Sequence, residues 1–530
     1  MRFSVNRLAL LLCFFVPSAV LAGPPAVLDG AFPSKDFSPV SRSYLHISDR
    51  GQLSYARFLY EAGDFKKAAR EAARVIENFP LSPLKEEAHF MMADADLSAG
   101  LYREASIQFR QFLGNFIASP FAEQATLKLL EAQKRLDESR EKPPEPLVMP
   151  SVPTAVQTTS TAGAPAMRAV QVMVFGGRDM TEVENEIQGL KEAGVDTIIF
   201  RVFHNRGDRF YRFIKPRVKE GVYFNTTRAP VVADALTPVL DCAHKNGMRV
   251  FAWMTSRYAD YGIAWRDDIG CRGYDVDKRE ITRCKGLDMF SEEAVRHLEG
   301  LYRDLASHDI DGILFQDDLV LKYNEGFGPH AAELFRKENG TDVFPEELYI
   351  RRPGSAAIFY TPRFWEWAAW KNRRLLGVAK RLKEAASEVN PRTRFAINLM
   401  YEAVTSPSNA LAWLSQDIER AMEAGFDYYA VMAYQRQMAD ELRLTPDEAG
   451  DMIEGMAREA SRIVEKPERV LIKLQTIDWT TGHPLNDADV VGLLRRIKGS
   501  YGVSLAVVPY RAGFPFNELG GAAKGFASLD

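Results

Sequence analysis

Two adjacent carboxylates, Asp317 and Asp318, stand just past the apolar run Gly312–Phe315. Paired acids behind a buried strand are costly unless they are used or partnered. Mutual repulsion raises one of the two pKa values, which suits that acid to donating a proton near neutrality. The plainer alternative has one of them capping the next loop or pairing with an arginine such as Arg201. Further reactive or sugar-binding side chains follow other apolar runs: Arg201 and His204, Trp253, Glu402, Tyr434, Asp478 with Trp479, and Tyr510. Aromatic faces stack on the apolar faces of sugar rings, while carboxylates and amides take the hydroxyls. Carboxylates also supply glycosidase chemistry, in which one acid protonates the leaving oxygen and Glu402 or Asp478 would be the second carboxylate. The aromatics could equally be core residues, and His204 a loop hydrogen-bonder. Asp311, at the start of its run, reads as a structural turn residue. Eight histidines in the whole chain, without ligand spacing, give no metal site. No nucleophile triad order, phosphate loop or nucleotide fingerprint stands out, so no cofactor is expected.

Those residues need a scaffold that brings them together. Eight strand-like runs occur from residue 168 onward: Val170–Phe175, Thr197–Phe203, Arg249–Met254, Gly312–Phe315, Arg394–Leu399, Tyr428–Ala433, Val470–Gln475 and Ser504–Val508. Amphipathic helical segments such as Glu182–Ala193, Ala235–Asn246, Ser291–Ser307 and Phe364–Ser387 separate them. Nearly continuous apolar strands between helices mean a parallel sheet buried on both faces. The pattern predicts an α/β chain with a (β/α)8 TIM-type barrel over 168–525, its site at the C-terminal strand ends. A doubly wound sheet is the alternative; the count of eight favours closure.

The chain has 530 residues, enough for about three domains, with 46% hydrophobic and 26% charged residues and a net charge of −4. That composition is globular, and the lack of basic excess argues against nucleic acid as a partner. Residues 1–22 read as a signal peptide: Arg2 and Arg7, the apolar run Leu8–Val16, then Val20-Leu21-Ala22. No later stretch is long and apolar enough to span a bilayer. Export to the periplasm or the outer-membrane region is therefore expected, ahead of full secretion. Residues 46–137 are helical with an internal repeat of 37: Gly63/Gly100, Ala68/Ala105, Asn78-Phe79/Asn115-Phe116 and Ser82-Pro83/Ser119-Pro120. This follows tetratricopeptide-like helix-turn-helix logic, an all-α surface that usually holds a protein partner; a spacer or a cap on the next domain is the other reading. Residues 138–167, rich in Pro, Ser and Thr, read as a flexible linker. Among the cysteines left after residue 22, Cys271 and Cys284 flank one loop and are the better disulfide pair, which export permits; Cys242 reads as a buried thiol.

Gly221–Phe224, Ala233–Met254, Asp311–Asp318 and Leu474–Trp479 resemble the C-terminal glycoside-hydrolase domain of PgaB-type proteins, which process the biofilm polysaccharide poly-β-1,6-N-acetyl-D-glucosamine. The resemblance runs over roughly 170–515 with the motifs in order. It implies a barrel that binds and cleaves the partly de-N-acetylated polymer as an endo-acting hexosaminidase. It places the catalytic carboxylate within Asp317-Asp318, and sugar-contacting aromatics at Trp253, Tyr434 and Trp479. Gln316 stands where the family often has His, and helical repeats replace the family's N-terminal deacetylase domain, so no deacetylation is expected. The second acid would orient the 2-acetamido group for attack by its own carbonyl. A non-catalytic chaperone guiding polymer to an export pore, its repeats docked on secretion machinery, is the alternative function. Hydrolysis of another envelope glycan is a third.

Overall fold

The computed structural model describes residues 47–141, 166–351 and 358–520. The expected signal peptide and most of the expected linker lie outside them.

The apolar runs form eight parallel strands: β1 (Arg168–Val172), β2 (Thr197–Arg201), β3 (Arg249–Met254), β4 (Gly312–Phe315), β5 (Arg394–Met400), β6 (Tyr428–Met432), β7 (Val470–Gln475) and β8 (Ser504–Val508). They pair in chain order, and β1 closes on β8 with Arg168 opposite Leu505. The chain is thus a closed barrel and not the doubly wound sheet. Pairing in β1 starts two residues ahead of the predicted run and ends before Met173, which turns into the barrel mouth. Burial on both faces accounts for the strand composition: all of Thr-Ile-Ile-Phe-Arg in β2 is buried. The helices outside follow local signals. Thr361 accepts from the Phe364 amide and Pro362 takes the first position of helix Pro362–Val389. That helix buries Trp365, Trp367 and Trp370, the last two stacked at 4.9 Å. Asp311 accepts the Val250 amide at 2.7 Å and meets His244 Nε2 at 2.9 Å, joining the bottoms of β3 and β4.

Among the described residues five helices precede the barrel: α1 (Asp49–Glu61), α2 (Phe65–Asn78), α3 (Lys85–Ser98), α4 (Tyr102–Asn115) and α5 (Ala122–Glu141). α1–α2 and α3–α4 are helical hairpins with equivalent corners. Gly63 and Gly100 take left-handed φ values of +81° and +79°, which a side chain would oppose. The same three backbone bonds close each corner, ending with Asp64 N to Leu59 O and Leu101 N to Asp96 O. Ala68 and Ala105 are fully buried where the paired helices meet. α5 runs to Glu141, past the expected linker start at 138, because no helix breaker occurs before Pro143.

The first hairpin docks on the barrel. Tyr55 packs against Trp365 with ring centroids 4.8 Å apart. Lys67 Nζ donates to Asp417 Oδ2 at 2.6 Å, both groups buried. Ser408 Oγ donates to Gln52 at 2.6 Å, and Gln52 donates to the Glu71 carboxylate at 2.6 Å. The repeats therefore cap the barrel through α1 and α2.

Past β3 an antiparallel hairpin, Gly270–Asp275 with Glu280–Leu287, carries the Cys271–Cys284 disulfide. Leu287 N donates to Arg257 O at 2.8 Å, so the hairpin backs the loop after β3. The bond closes a loop of separation 13, for which chain entropy gives about 2–3 kcal/mol. Replacing both cysteines by Ser should lower stability by about that much in denaturant titrations; an unchanged midpoint would mean that the hairpin is held by its backbone ladder alone.

Candidate active site

A cleft opens at the C-terminal ends of the strands, and every strand contributes to it. Gln171 comes from β1, Arg201 from β2, Trp253 from β3, Asn398 from β5, Met432 from β6, Lys473 from β7 and Val508 from β8; Asp317 follows β4. Out to its open mouth the cleft encloses about 530 Å3, room for a sugar unit by the usual size of ligand sites. Its rim is aromatic: Tyr434 and Trp479 meet edge to face at 5.2 Å, and Trp253 donates its indole N–H to Gln316.

The two adjacent acids diverge, because successive residues leave a strand end on opposite sides. Asp317 lines the cleft and is only half-buried. Burial and then the neighbouring Asp318 push its carboxyl up to about 6, against the pull of Lys473. Asp318 is buried behind the wall. It accepts from Thr255 Oγ1 at 2.6 Å, from Ser256 N at 2.9 Å and Ser256 Oγ at 2.9 Å, and from Tyr258 N at 2.8 Å. Asp318 therefore anchors the loop after β3, and the expectation that the second acid faces a sugar's acetamido group is corrected.

Four other expected contacts are also displaced from the cleft wall. His204 is fully buried, stacked on Phe210 at 4.0 Å, with Nδ1 2.6 Å from the Tyr223 hydroxyl. Burial and then Arg201 pull its pKa down to about 4, so it stays neutral. Asp478 accepts from the Thr480 and Thr481 amides at 2.8 and 3.1 Å and from Arg436 at 3.2 Å, an Asx-type turn. Tyr510 stacks on Phe516 at 5.6 Å. Glu402 opens the short helix Glu402–Thr405 and is buried there. The residues brought together are Arg201, Trp253, Asp317, Tyr434 and Trp479. Arg201 pairs with Asp208 at 2.9 Å, not with the double aspartate.

Sequence reasoning passed over Lys473, Gln171 and Asp208. Lys473 is fully buried and donates to Asn398 Oδ1 at 2.8 Å. Burial pulls its pKa down to about 7, against Asp317. A signal was present: Gln171, Arg201, Asn398 and Lys473 are polar residues inside otherwise apolar strands. Among the described residues no group of His, Cys, Asp or Glu could hold a metal ion.

A closed barrel whose strand ends converge on one protonatable carboxylate under an aromatic rim is the form of a barrel glycoside hydrolase. Residues 182–505 match the model of the family described as hypothetical glycosyl hydrolase family 13, and the chain belongs to that family. Among solved structures it is similar in fold to the glycoside hydrolase domain of PgaB (BpsB) from Bordetella bronchiseptica. That match has 20% identity, covers 65% of this chain and 94% of that one, and has a TM-score of 0.51. A looser match is the β-amylase catalytic domain of Paenibacillus polymyxa, at 11% identity, 68% and 96% coverage and a TM-score of 0.41. No curated protein matches the chain.

Proposed function

We propose that this chain is an exported, endo-acting hydrolase of partly de-N-acetylated poly-β-1,6-N-acetyl-D-glucosamine, with Asp317 as general acid. The observation that carries the reading is the place and state of Asp317. It lies in the cleft with its carboxyl raised to about 6, able to hold a proton and deliver it to a glycosidic oxygen. Trp253, Tyr434 and Trp479 offer the faces on which sugar rings stack. The polymer itself comes from the motif resemblance to PgaB-type hydrolase domains.

The cleft wall also favours a substrate-assisted route. Asp208 is the other carboxylate there, and Arg201 holds it. With no second unpaired carboxylate on the cleft wall among the described residues, the 2-acetamido carbonyl oxygen bonds to C1 as the C1–O bond breaks and Asp317 protonates the departing oxygen. Water then adds to C1, the Asp317 carboxylate taking its proton, and the acetamido group is restored. The helical repeats, fixed to the barrel by their first hairpin, would present the second hairpin to a protein of the envelope machinery.

The test is reducing-end release from partly de-N-acetylated polymer, beside fully acetylated polymer and peptidoglycan. Release from the first substrate is expected. Binding without release would replace the hydrolase by a polymer-guiding chaperone, and release from peptidoglycan alone would move the substrate class.

A further inference from the structure

α5 occupies the place of a third opening helix, 37 residues after α3 and behind the same Ser-Pro turn. In the first two repeats the opening helix is covered by its return helix. Leu53 of α1 packs with Val75 of α2 and is 1% exposed. Phe90 of α3 meets Phe109 and Phe112 of α4 at 6.0 and 5.9 Å and is 8% exposed. Three residues further on, Ala56 and Ala93 are fully buried. The same two positions in α5 are Leu127 and Leu130, which stand 62% and 58% exposed.

Among the described residues nothing covers them, because the third corner is not made. Where Gly63 and Gly100 turn the chain, α5 has Asp137 and runs straight on to Glu141. Pro143, Pro144 and Pro146 follow where a return helix would be starting, and a helix interior does not accept them. Repeat arrays normally end on a polar outer face. Two adjoining leucines there call for a helix from another chain.

The residues of α5 say which. Glu123, Leu127, Leu130 and Lys134 follow a 4-3-4 spacing and form one stripe, the seam of a two-helix contact. Run antiparallel against itself, the stripe is self-complementary. Leu127 lies opposite the partner's Leu130, and Glu123 opposite the partner's Lys134. Beside the leucines, Glu131 meets Gln124 of the partner subunit and Thr126 meets its Gln133, so no like charges face each other. We infer that α5 is a homodimerisation helix: two copies of this chain pair antiparallel through it about a two-fold axis, each supplying the return helix that the other lacks. Lys134 would exchange a 3.8 Å contact with Glu138 of its own helix for the partner's Glu123. A patch of this size holds a weak, concentration-dependent pair. It would join two barrels, each with its own cleft, in one particle. The inference goes beyond the glycosidase reading and does not depend on it.

The experiment is sedimentation equilibrium of the chain from residue 23 onward over a concentration series. Wild type should move toward twice the chain mass as concentration rises through about 100 μM. Leu127→Glu should weaken pairing by about a hundredfold, since a buried leucine is worth about tenfold or more and the change enters twice. Glu123→Lys and Lys134→Glu should each prevent pairing by opposing like charges, while an equimolar mixture of the two should pair again. All three side chains are exposed, so the fold is not at stake. A wild type that stays monomeric at the highest concentration overturns the inference. So does a dimer that Leu127→Glu leaves intact, a single charge variant that pairs as well as wild type, or a mixture that stays apart.

Discussion

Asp317→Asn should lower reducing-end release by about 10²–10⁴-fold, the usual contribution of a positioned acid. The amide keeps the shape of the carboxylate and leaves the donors around Asp318 in place, so polymer binding should be retained. The wild-type pH profile should carry the same signature. Activity needs the proton, so it should fall as pH rises through about 6, as one macroscopic step shared with Lys473. Stability follows with a definite sign. Asp317 binds its proton more tightly in the fold than at its ordinary value of 3.8. Its stabilising contribution is therefore complete below about pH 4 and lost as pH rises through about 6. Asn has no such loss but leaves the buried Lys473 ammonium without its anionic neighbour, so the two effects oppose each other and the melting temperature should move little at neutral pH. Kinetics and a melting curve on one sample decide the matter. A variant that keeps more than about a tenth of the activity would remove Asp317 from the general-acid role.

Lys67→Met should produce the largest loss of stability among single changes at the junction of helices and barrel. Methionine retains the apolar stem but not the ammonium. Asp417 would lose its buried partner at 2.6 Å, and Glu419 a second contact at 3.7 Å. Removing one member of a buried pair costs about 3 kcal/mol or more. Asp417 would keep the Glu419 and Arg420 amides that it caps, which places the expectation at the lower end of that range. The melting temperature should fall by about 5 °C, with faster proteolysis between residues 47 and 141. Adding Asp417→Asn should restore much of the loss, since no charge is then stranded. Unchanged melting in the single variant would mean that Tyr55 against Trp365 holds the junction without the ion pair.

The barrel was legible because its signal is repeated. Runs such as Thr197–Phe203 and Val470–Gln475 are apolar on both faces, and helices with clear caps lie between them. The repeats were legible in the same way, since Gly63 and Gly100 mark equivalent corners. The cleft was legible only where residue type and strand end coincide, as at Trp253, Asp317, Tyr434 and Trp479. His204 and Asp478 follow strands too, but loop geometry settles them: Tyr223 takes the imidazole, and the 478–481 turn takes the carboxylate. Adjacency likewise hid the divergence of Asp317 and Asp318, which depends on the amides of a loop sixty residues earlier. Lys473 was concealed by its own setting, one cation among five other buried residues in β7. Strand alternation would have placed it inward beside Leu471 and Gln475.

The docking of the first hairpin also has a mechanical consequence. α1 and α2 are bolted to the barrel by ion pair, amide and aromatic contacts, and α3 and α4 follow across the 79–84 turn and repeat the glycine corner at Gly100. The array is thus a stiff handle and not a tether. A protein that gripped its far end would set the compass bearing of the cleft, so that a chain of sugar arriving from a fixed direction would meet Asp317 from one side only.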